Sequence, residues 1–133
     1  MVATPEPEWL DAEVVIAFHA MMLTEHGGAA GIRDEHGLRS ALARPRQLLA
    51  YGDSDLFDLA AAYASGIVRN HPFVDGNKRA AFIAAFTFLR INGLEVRLPE
   101  VEVVGLMLDL AAGGISEPAF AESLRAQSVR EGK

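Results

Sequence analysis

The chain has 133 residues, half of them apolar, with 12 basic and 18 acidic side chains and no cysteine. A chain of this length buries roughly two thirds of its unfolded surface, so we expect a single domain over residues 1–133 with flexible ends at 1–8 and 128–133. The net charge of −6 argues against direct binding to nucleic acid. The absence of cysteine excludes disulfides and thiolate metal sites.

Neither a secretion signal nor a membrane span is predicted. Residues 1–8 contain no basic region followed by an apolar run, and the longer apolar runs are too short or are interrupted by polar residues. We therefore expect a cytoplasmic protein with no membrane contact. Residues 33–97 hold nine bases against seven acids, so this middle section suits an anionic small ligand.

The first predicted helix covers residues 9–25 and ends at a Gly-Gly pair. Its apolar stripe consists of Leu10, Val14, Ala17 and Met21, widened by Val15, Phe18 and Met22. His19 and His26 are seven residues apart and could share a face as metal ligands. Because no third ligand has suitable spacing, surface or helix-end histidines are the favoured interpretation.

A glycine-rich connection follows at residues 27–36. It lacks the Gly-Lys-Ser/Thr ending of a P-loop, so turns that need positive φ explain its glycines better than a phosphate cradle does. A short helix is predicted at 37–43, ending before Pro45. The arginines around it favour a solvated face, with substrate docking as the alternative: Arg33, Arg39, Arg44 and Arg46.

Two strongly apolar helices are predicted in the middle of the chain. Asp53-Ser54 offers the N-cap of the first, which runs to about Arg69, and the second covers residues 78–92 and ends at Gly93. Because both are apolar nearly all round, we expect them to form the buried centre of the fold.

The last third of the chain predicts a short extended piece and two further helices. Residues 94–98 alternate in polarity, and residues 100–112 form a helix with five inward positions, namely Val103, Val104, Met107, Leu108 and Ala111. Ser116 is the predicted N-cap of a final helix that continues through Leu124, with Pro118 in its first turn. The predicted fold is all-α, a compact orthogonal bundle of about six helices.

The polar loop between the two central helices carries the predicted chemistry. Residues 71–79 read His-Pro-Phe-Val-Asp-Gly-Asn-Lys-Arg. Gly76 and Asn77 lead into the first turn of a helix, where free N–H groups and the macrodipole attract anions. Lys78 and Arg79 oppose that dipole, which indicates that a bound anion offsets them.

Two side chains of this loop suggest a reaction. Asp75 is suited to ligate Mg²⁺, and His71 is suited to take a proton from a hydroxyl. Each polar residue taken singly favours a structural interpretation, as a helix cap, a turn residue or a surface charge. Their concentration within nine positions favours phosphate transfer from a nucleotide to a hydroxyl.

The loop sequence closely resembles the signature of the Fic/Doc family. The glycine-rich connection and the residues after it resemble the N-terminal portion of Doc-type members, so the resemblance covers about residues 10–124. It implies an all-helical fold and a base at His71. It also implies a metal ligand at Asp75 and nucleotide phosphates bound by Gly76, Asn77, Lys78 and Arg79. Arg69 has a counterpart in Doc-like proteins and is a further catalytic candidate whose role stays open.

Two positions bear on the type of reaction that the resemblance implies. Most members that transfer AMP have glycine at the place of Lys78 and a further arginine at the place of Phe82. Doc-like toxins share the lysine and are similar to kinases that use ATP and Mg²⁺ to phosphorylate a threonine of elongation factor Tu, which blocks translation. A Doc-like toxin kinase is the leading hypothesis. AMP transfer and a catalytically idle binding module are the alternatives.

The resemblance also bears on regulation. Members that restrain themselves carry a Ser/Thr-x-x-x-Glu-Gly/Asn helix, which has no match here: Thr4 and Glu8 have the spacing, but Trp9 follows. The resemblance then implies a separate Phd-like antitoxin that lays an amphipathic helix in a groove beside the loop.

Overall fold

The computed structural model describes residues 6–130, which form six helices and two short strands. The all-α fold of about six helices is therefore confirmed. The helices are α1 (Ala12–His26), α2 (Glu35–Tyr51), α3 (Leu56–Asn70), α4 (Asn77–Ile91), α5 (Glu100–Ala112) and α6 (Glu117–Ala126), and the strands are β1 (Leu94–Val96) and β2 (Ser128–Arg130).

Helices α3 and α4 form the centre, as predicted. Every residue of α3 from Leu59 to Ile67 is buried, and α4 buries an alanine-rich face together with Phe88 and Leu89. Small side chains permit the close packing. A Cβ on Gly66 would lie 3.1 Å from the Cβ of Ala41, so glycine lets α2 approach α3.

The prediction that the second helix ends before Pro45 is wrong. Helix α2 continues to Tyr51 with Pro45 inside it. An interior proline removes one helical hydrogen bond and costs about 3 kcal/mol. Here Pro45 is buried together with Ala41 and Leu42, so packing against the central helix offsets the cost.

The predicted inward faces of α1 and α5 are partly wrong. In α1 the buried residues are Val15, His19 and Met22, whereas Val14, Ala17 and Met21 are exposed. In α5 the buried residues are Met107 and Leu110, the predicted Val103 packs against the core while partly buried, and the predicted Val104, Leu108 and Ala111 are exposed. Both helices carry apolar residues nearly all round, so periodicity alone does not choose the face that the core covers.

The short extended piece after α4 is confirmed as β1, which pairs antiparallel with β2 in the register Leu94↔Arg130 and Val96↔Ser128. This pairing was not predicted, because residues 128–130 belong to the polar tail that the sequence indicates as a flexible end. Residues 1–5, which include Thr4, and residues 131–133 lie outside the described range, so the single domain over 1–133 stays a prediction. No helix between residues 6 and 130 is long and apolar enough to cross a membrane.

The N-cap of α3 is Asp55 rather than the predicted Asp53-Ser54. The Asp55 carboxylate accepts the Asp58 N–H at 2.9 Å, and the Asp58 carboxylate accepts the Asp55 N–H at 3.0 Å. This reciprocal arrangement is a capping box. Arg125 of α6 donates to both oxygens of Asp55 at 2.9 and 3.0 Å, which ties the last helix to the start of α3.

This cluster predicts a stability that depends on pH. Burial by itself raises the pKa of Asp55, but the hydrogen bond from Arg125 and the Asp58 N–H more than offset it and hold that pKa below its ordinary value. Asp55→Asn should therefore lower the free energy of unfolding at pH 7 by about 0.5–1 kcal/mol. A carboxylate whose pKa is lower in the folded state stabilises that state when the pH is above its ordinary pKa. The stabilisation is lost as the pH falls through the pKa of the folded state.

Urea unfolding at pH 7 and pH 3 measures this effect. The difference in the free energy of unfolding between Asp55→Asn and the unmodified chain should be smaller at pH 3 than at pH 7. Asp53→Asn is the matched control because Asp53 does not cap α3. An equal loss in both variants, or a loss that is independent of pH, would contradict the assignment.

Candidate active site

Residues 71–76 join α3 to α4 through two residues with positive φ. His71 is the C-cap of α3, with φ 48° and ψ 54°, and its N–H donates to the Ile67 carbonyl at 3.0 Å. Gly76 is the N-cap of α4 with φ 77°. A Cβ at Gly76 would lie 3.0 Å from the Met22 side chain, so both conformation and space require glycine there.

The inner side of the loop is pinned by Phe73 and Asn77. Phe73 is fully buried. The Asn77 side chain is also buried, and its oxygen accepts the Phe73 N–H at 2.9 Å while its nitrogen donates to the Phe73 carbonyl at 3.0 Å. Asn77 thus acts as a side-chain bracket inside the loop, and only its backbone N–H remains for the phosphate role that the sequence predicts.

His19 reaches the same loop from α1. Its ring stacks on Phe73 with 3.8 Å between centroids, and its Nε2 lies 2.7 Å from the Asp75 carbonyl oxygen. Because a carbonyl only accepts, this nitrogen carries the hydrogen. The surface interpretation is therefore wrong for His19, which is buried, whereas His26 is an exposed histidine at the end of α1, as predicted. The sequence contained one indication of this burial: the spacing of Val15, His19 and Met22 places His19 on the same face of α1 as two apolar residues that are buried.

The outer side of the loop opens into a cavity of about 680 Å³, within the size range of small-molecule sites. It brings together all the predicted site residues except Arg69. Its lining consists of His71, Asp75, Gly76, Asn77, Lys78 and Arg79 from the loop and α4, with His26, Gly27, Gly28, Val68, Val74 and Ala111 around them.

The cavity is suited to an anion. No side chain caps the N-terminus of α4, so N–H groups of its first turn stay available. Lys78 and Arg79 are exposed, and within residues 6–130 neither side chain makes a hydrogen bond or an ion pair. Cations at the positive end of a helix that lack acidic partners favour a negatively charged ligand.

Asp75 contributes the carboxylate among the residues that line the cavity. Its Oδ1 accepts the Gly76 N–H at 2.8 Å and its Oδ2 lies 3.3 Å from the Ala29 nitrogen, which donates to it. These bonds orient the group and leave lone pairs free. No cluster of three His, Asp or Glu in the described part of the chain could hold a metal. A single carboxylate fits Mg²⁺ that completes its coordination with phosphate oxygens and water.

Arg69 lies outside this cavity. It is exposed and lines a neighbouring cavity of about 660 Å³ that shares Val68 and Ala111 with the first. Its catalytic role stays a prediction. The arginines around α2 have separate partners, and their docking role stays a prediction. Arg44 pairs with Glu117 at 2.6 Å, Arg39 pairs with two surface glutamates, Arg46 lies over the Trp9 ring, and Arg33 binds the loop.

Replacing Asn77 by alanine tests the bracket. The change leaves the buried N–H and carbonyl of Phe73 unpaired, so we expect the free energy of unfolding to fall by about 2–4 kcal/mol. Urea unfolding measures it. Asn92→Ala is a comparison at the other end of α4, where the side chain is less buried. A loss for Asn77→Ala no larger than for Asn92→Ala would contradict the role of the bracket.

The chain is similar in sequence to known proteins of one family. The model of the Fic/DOC family matches residues 9–89. The chain is 34% identical over 117 residues to Protein kinase doc of Escherichia phage P1, covering 87% of this chain and 92% of the phage protein. It is 44% identical over 92 residues to Toxin Doc of Mycolicibacterium smegmatis, covering 67% of this chain and 68% of that protein.

Proposed function

Because this chain belongs to the Fic/DOC family, we propose that it is a Doc-like toxin of a toxin–antitoxin module. Its activity would be that of a cytoplasmic, ATP-dependent protein kinase that transfers a phosphoryl group to a hydroxyl of a target protein. The observation that carries the proposal is the cavity in which His71, Asp75, Lys78 and Arg79 meet the uncapped start of α4. The kinase named among its relatives supports the same reaction class.

The proposed mechanism assigns each side chain a task. The His71 imidazole takes the proton of the target hydroxyl as its oxygen attacks the γ-phosphorus, and the bond to the β-phosphate oxygen breaks to release ADP. Lys78, Arg79 and the N–H groups of α4 stabilise the negative charge on the phosphates. Asp75 and the phosphate oxygens would hold Mg²⁺, which would neutralise part of that charge.

Two residues favour phosphoryl transfer over AMP transfer. Lys78 adds a long cation to the cavity, where the resemblance gives AMP-transferring members a glycine. Phe82 stands where they have an arginine, and its ring contacts Phe86 edge-on with 4.4 Å between centroids. Position 82 therefore supplies no cation to the phosphates.

Labelled ATP distinguishes the two reactions. Incubation of the chain with a target protein and γ-labelled ATP should label the target, whereas α-labelled ATP should not. A target mass gain of one phosphate is expected. A gain of one AMP would reject the kinase proposal in favour of AMP transfer.

The proposed target is a threonine of elongation factor Tu, with arrest of translation as the consequence. This part rests on the family resemblance. Purified elongation factor Tu should gain one phosphate in the labelled reaction, and the modified residue can be located by mass spectrometry. Labelling of other proteins in an extract without labelling of elongation factor Tu would reject this target but leave the kinase activity standing.

The proposed inhibitor is a Phd-like antitoxin that occupies an apolar groove of about 720 Å³ beside the active site. The groove lies between α4 and α5, and its polar lining consists of His26, Lys78, Arg79 and the acidic Glu100. An amphipathic helix fits this chemistry, with apolar residues in the groove and an acidic residue over the two cations. Its apolar lining consists of Met22, Phe82, Ile83, Phe86, Val96, Leu98, Val103, Val104, Met107 and Leu108.

Two exposed residues of α5 test the groove. Leu108 is 51% exposed and lines it, whereas Val101 is 77% exposed on the same helix and does not. Leu108→Glu should weaken antitoxin binding about tenfold or more, because it replaces buried apolar area by a charge. Calorimetry should show unchanged binding for Val101→Glu. Equal affinities for both variants would place the antitoxin elsewhere.

A further inference from the structure

We propose that Arg33 is a positioning residue that holds the backbone of His71 in the conformation that the reaction requires. This inference rests on the proposed function for the role of His71 as the base. The geometry that carries it is independent of the reaction. It lies in the contacts between residues 28–34, here called the clamp segment, and the three successive carbonyls of residues 70–72.

The conformation of His71 is unfavourable on its own. It is the only residue other than glycine with positive φ between residues 6 and 130, and such a conformation costs a non-glycine residue about 1–2 kcal/mol. The next residue is Pro72, which also disfavours helical values of φ and ψ at the residue before it. A residue in such an unfavourable backbone conformation persists only where contacts with the surrounding structure hold it there.

The Arg33 side chain supplies that constraint. Its Nε donates to the His71 carbonyl at 2.9 Å, and one terminal nitrogen donates to the same oxygen at 2.6 Å and to the Asn70 carbonyl at 3.1 Å. These carbonyls end α3, where the helix leaves acceptors without partners and the dipole favours a cation. The planar guanidinium presents its donors to two adjacent carbonyls in a fixed fork, a geometry that the compact ammonium of a lysine does not reproduce.

The backbone of the clamp segment continues the same contact. The N–H groups of Arg33 and Asp34 donate to the Pro72 carbonyl at 2.7 and 3.0 Å, and the Val74 N–H donates to the Gly31 carbonyl at 3.0 Å. At its other end the Ala29 N–H donates to the Asp75 carboxylate. One segment therefore holds both the base and the acidic residue of the cavity, with Arg33 binding the more strained of the two.

Kinetics of Arg33 variants test the role. Arg33→Ala should lower kcat by about 10²-fold, the effect of a displacement of about 1 Å at a catalytic group, and leave the KM for ATP within about twofold. Arg33→Lys should recover only part of the rate. Millimolar guanidinium ion should restore much of the activity to Arg33→Ala. The control is Arg39→Ala, since Arg39 pairs only with surface glutamates.

A second readout does not depend on activity. Backbone chemical shifts at residue 71 in the isotopically labelled protein should leave the left-handed range in Arg33→Ala and return when guanidinium is added. Unchanged shifts at residue 71 in Arg33→Ala, whether or not activity is lost, would overturn the positioning role. If Arg33→Ala does not fold, Arg33→Lys gives the same comparison. An unmodified chain without kinase activity would reject the proposed function, while the shifts would still decide whether Arg33 holds His71.

Discussion

Removal of the imidazole of His71 is expected to lower kcat for phosphoryl transfer by about 10²–10⁴-fold, the usual contribution of a general base. His71→Asn is the sharper variant, because asparagine tolerates the left-handed conformation that the structure gives this residue and cannot act as the base at neutral pH. His71→Ala removes the base without that tolerance. Transfer of label from γ-labelled ATP to the target measures both.

The control for this prediction is His36→Ala, an exposed histidine in the first turn of α2. It should keep full activity. Toxicity on expression in bacteria should follow the kinetics, with growth restored by both variants at position 71. If the His71 variants fold and remain fully toxic, the idle binding module replaces the kinase as the better account of this chain.

Removal of the Asp75 charge has the second large expected effect. Asp75→Asn keeps the size of the side chain and an oxygen that can accept the Gly76 N–H, but it loses the charge that a divalent cation needs. We expect kcat/KM to fall by about 10²–10³-fold at fixed Mg²⁺, equivalent to the several kcal/mol that a metal ion supplies. The Mg²⁺ concentration for half-maximal rate should also rise.

The Mg²⁺ titration separates a metal ligand from a merely structural residue. A variant whose rate falls while the Mg²⁺ dependence stays unchanged would argue against ligation by Asp75. Asp109→Asn is the matched control, because Asp109 is exposed on α5 and does not line the cavity. It should change neither the rate nor the titration.

Local sequence was enough for much of the fold. Helices α3 and α4 are predictable because they are apolar nearly all round and are bounded by glycine and acidic residues, and the bounds of α5 are those predicted. The errors occur where a long-range contact outweighs a local preference. Pro45 should end a helix, yet it stays inside α2 because it is buried, and β2 forms because residues 94–96 lie beside it.

The candidate site shows the same division. The loop residues are adjacent in sequence, and the helix that follows them makes an anion site predictable from local rules. Three of its supports come from distant positions: His19 on α1, Ala29 and Arg33 in the clamp segment. Arg33 resembles any surface arginine in sequence, since nothing local indicates that its partners are carbonyls 37 and 38 residues away.

The sequence by itself determined which chemical groups the chain can offer: an imidazole, a carboxylate and two cations within nine positions, at the start of a helix. The tertiary structure decided how these groups are held. It places Asn77 inside the loop as a bracket, Arg69 in a neighbouring cavity and Arg33 on the carbonyl of His71, the residue with the unfavourable backbone conformation. The physical reason is the distance along the chain over which each interaction acts. Helix ends and charges act over a few residues, whereas burial and hydrogen bonds to a distant backbone depend on which segments the fold brings together.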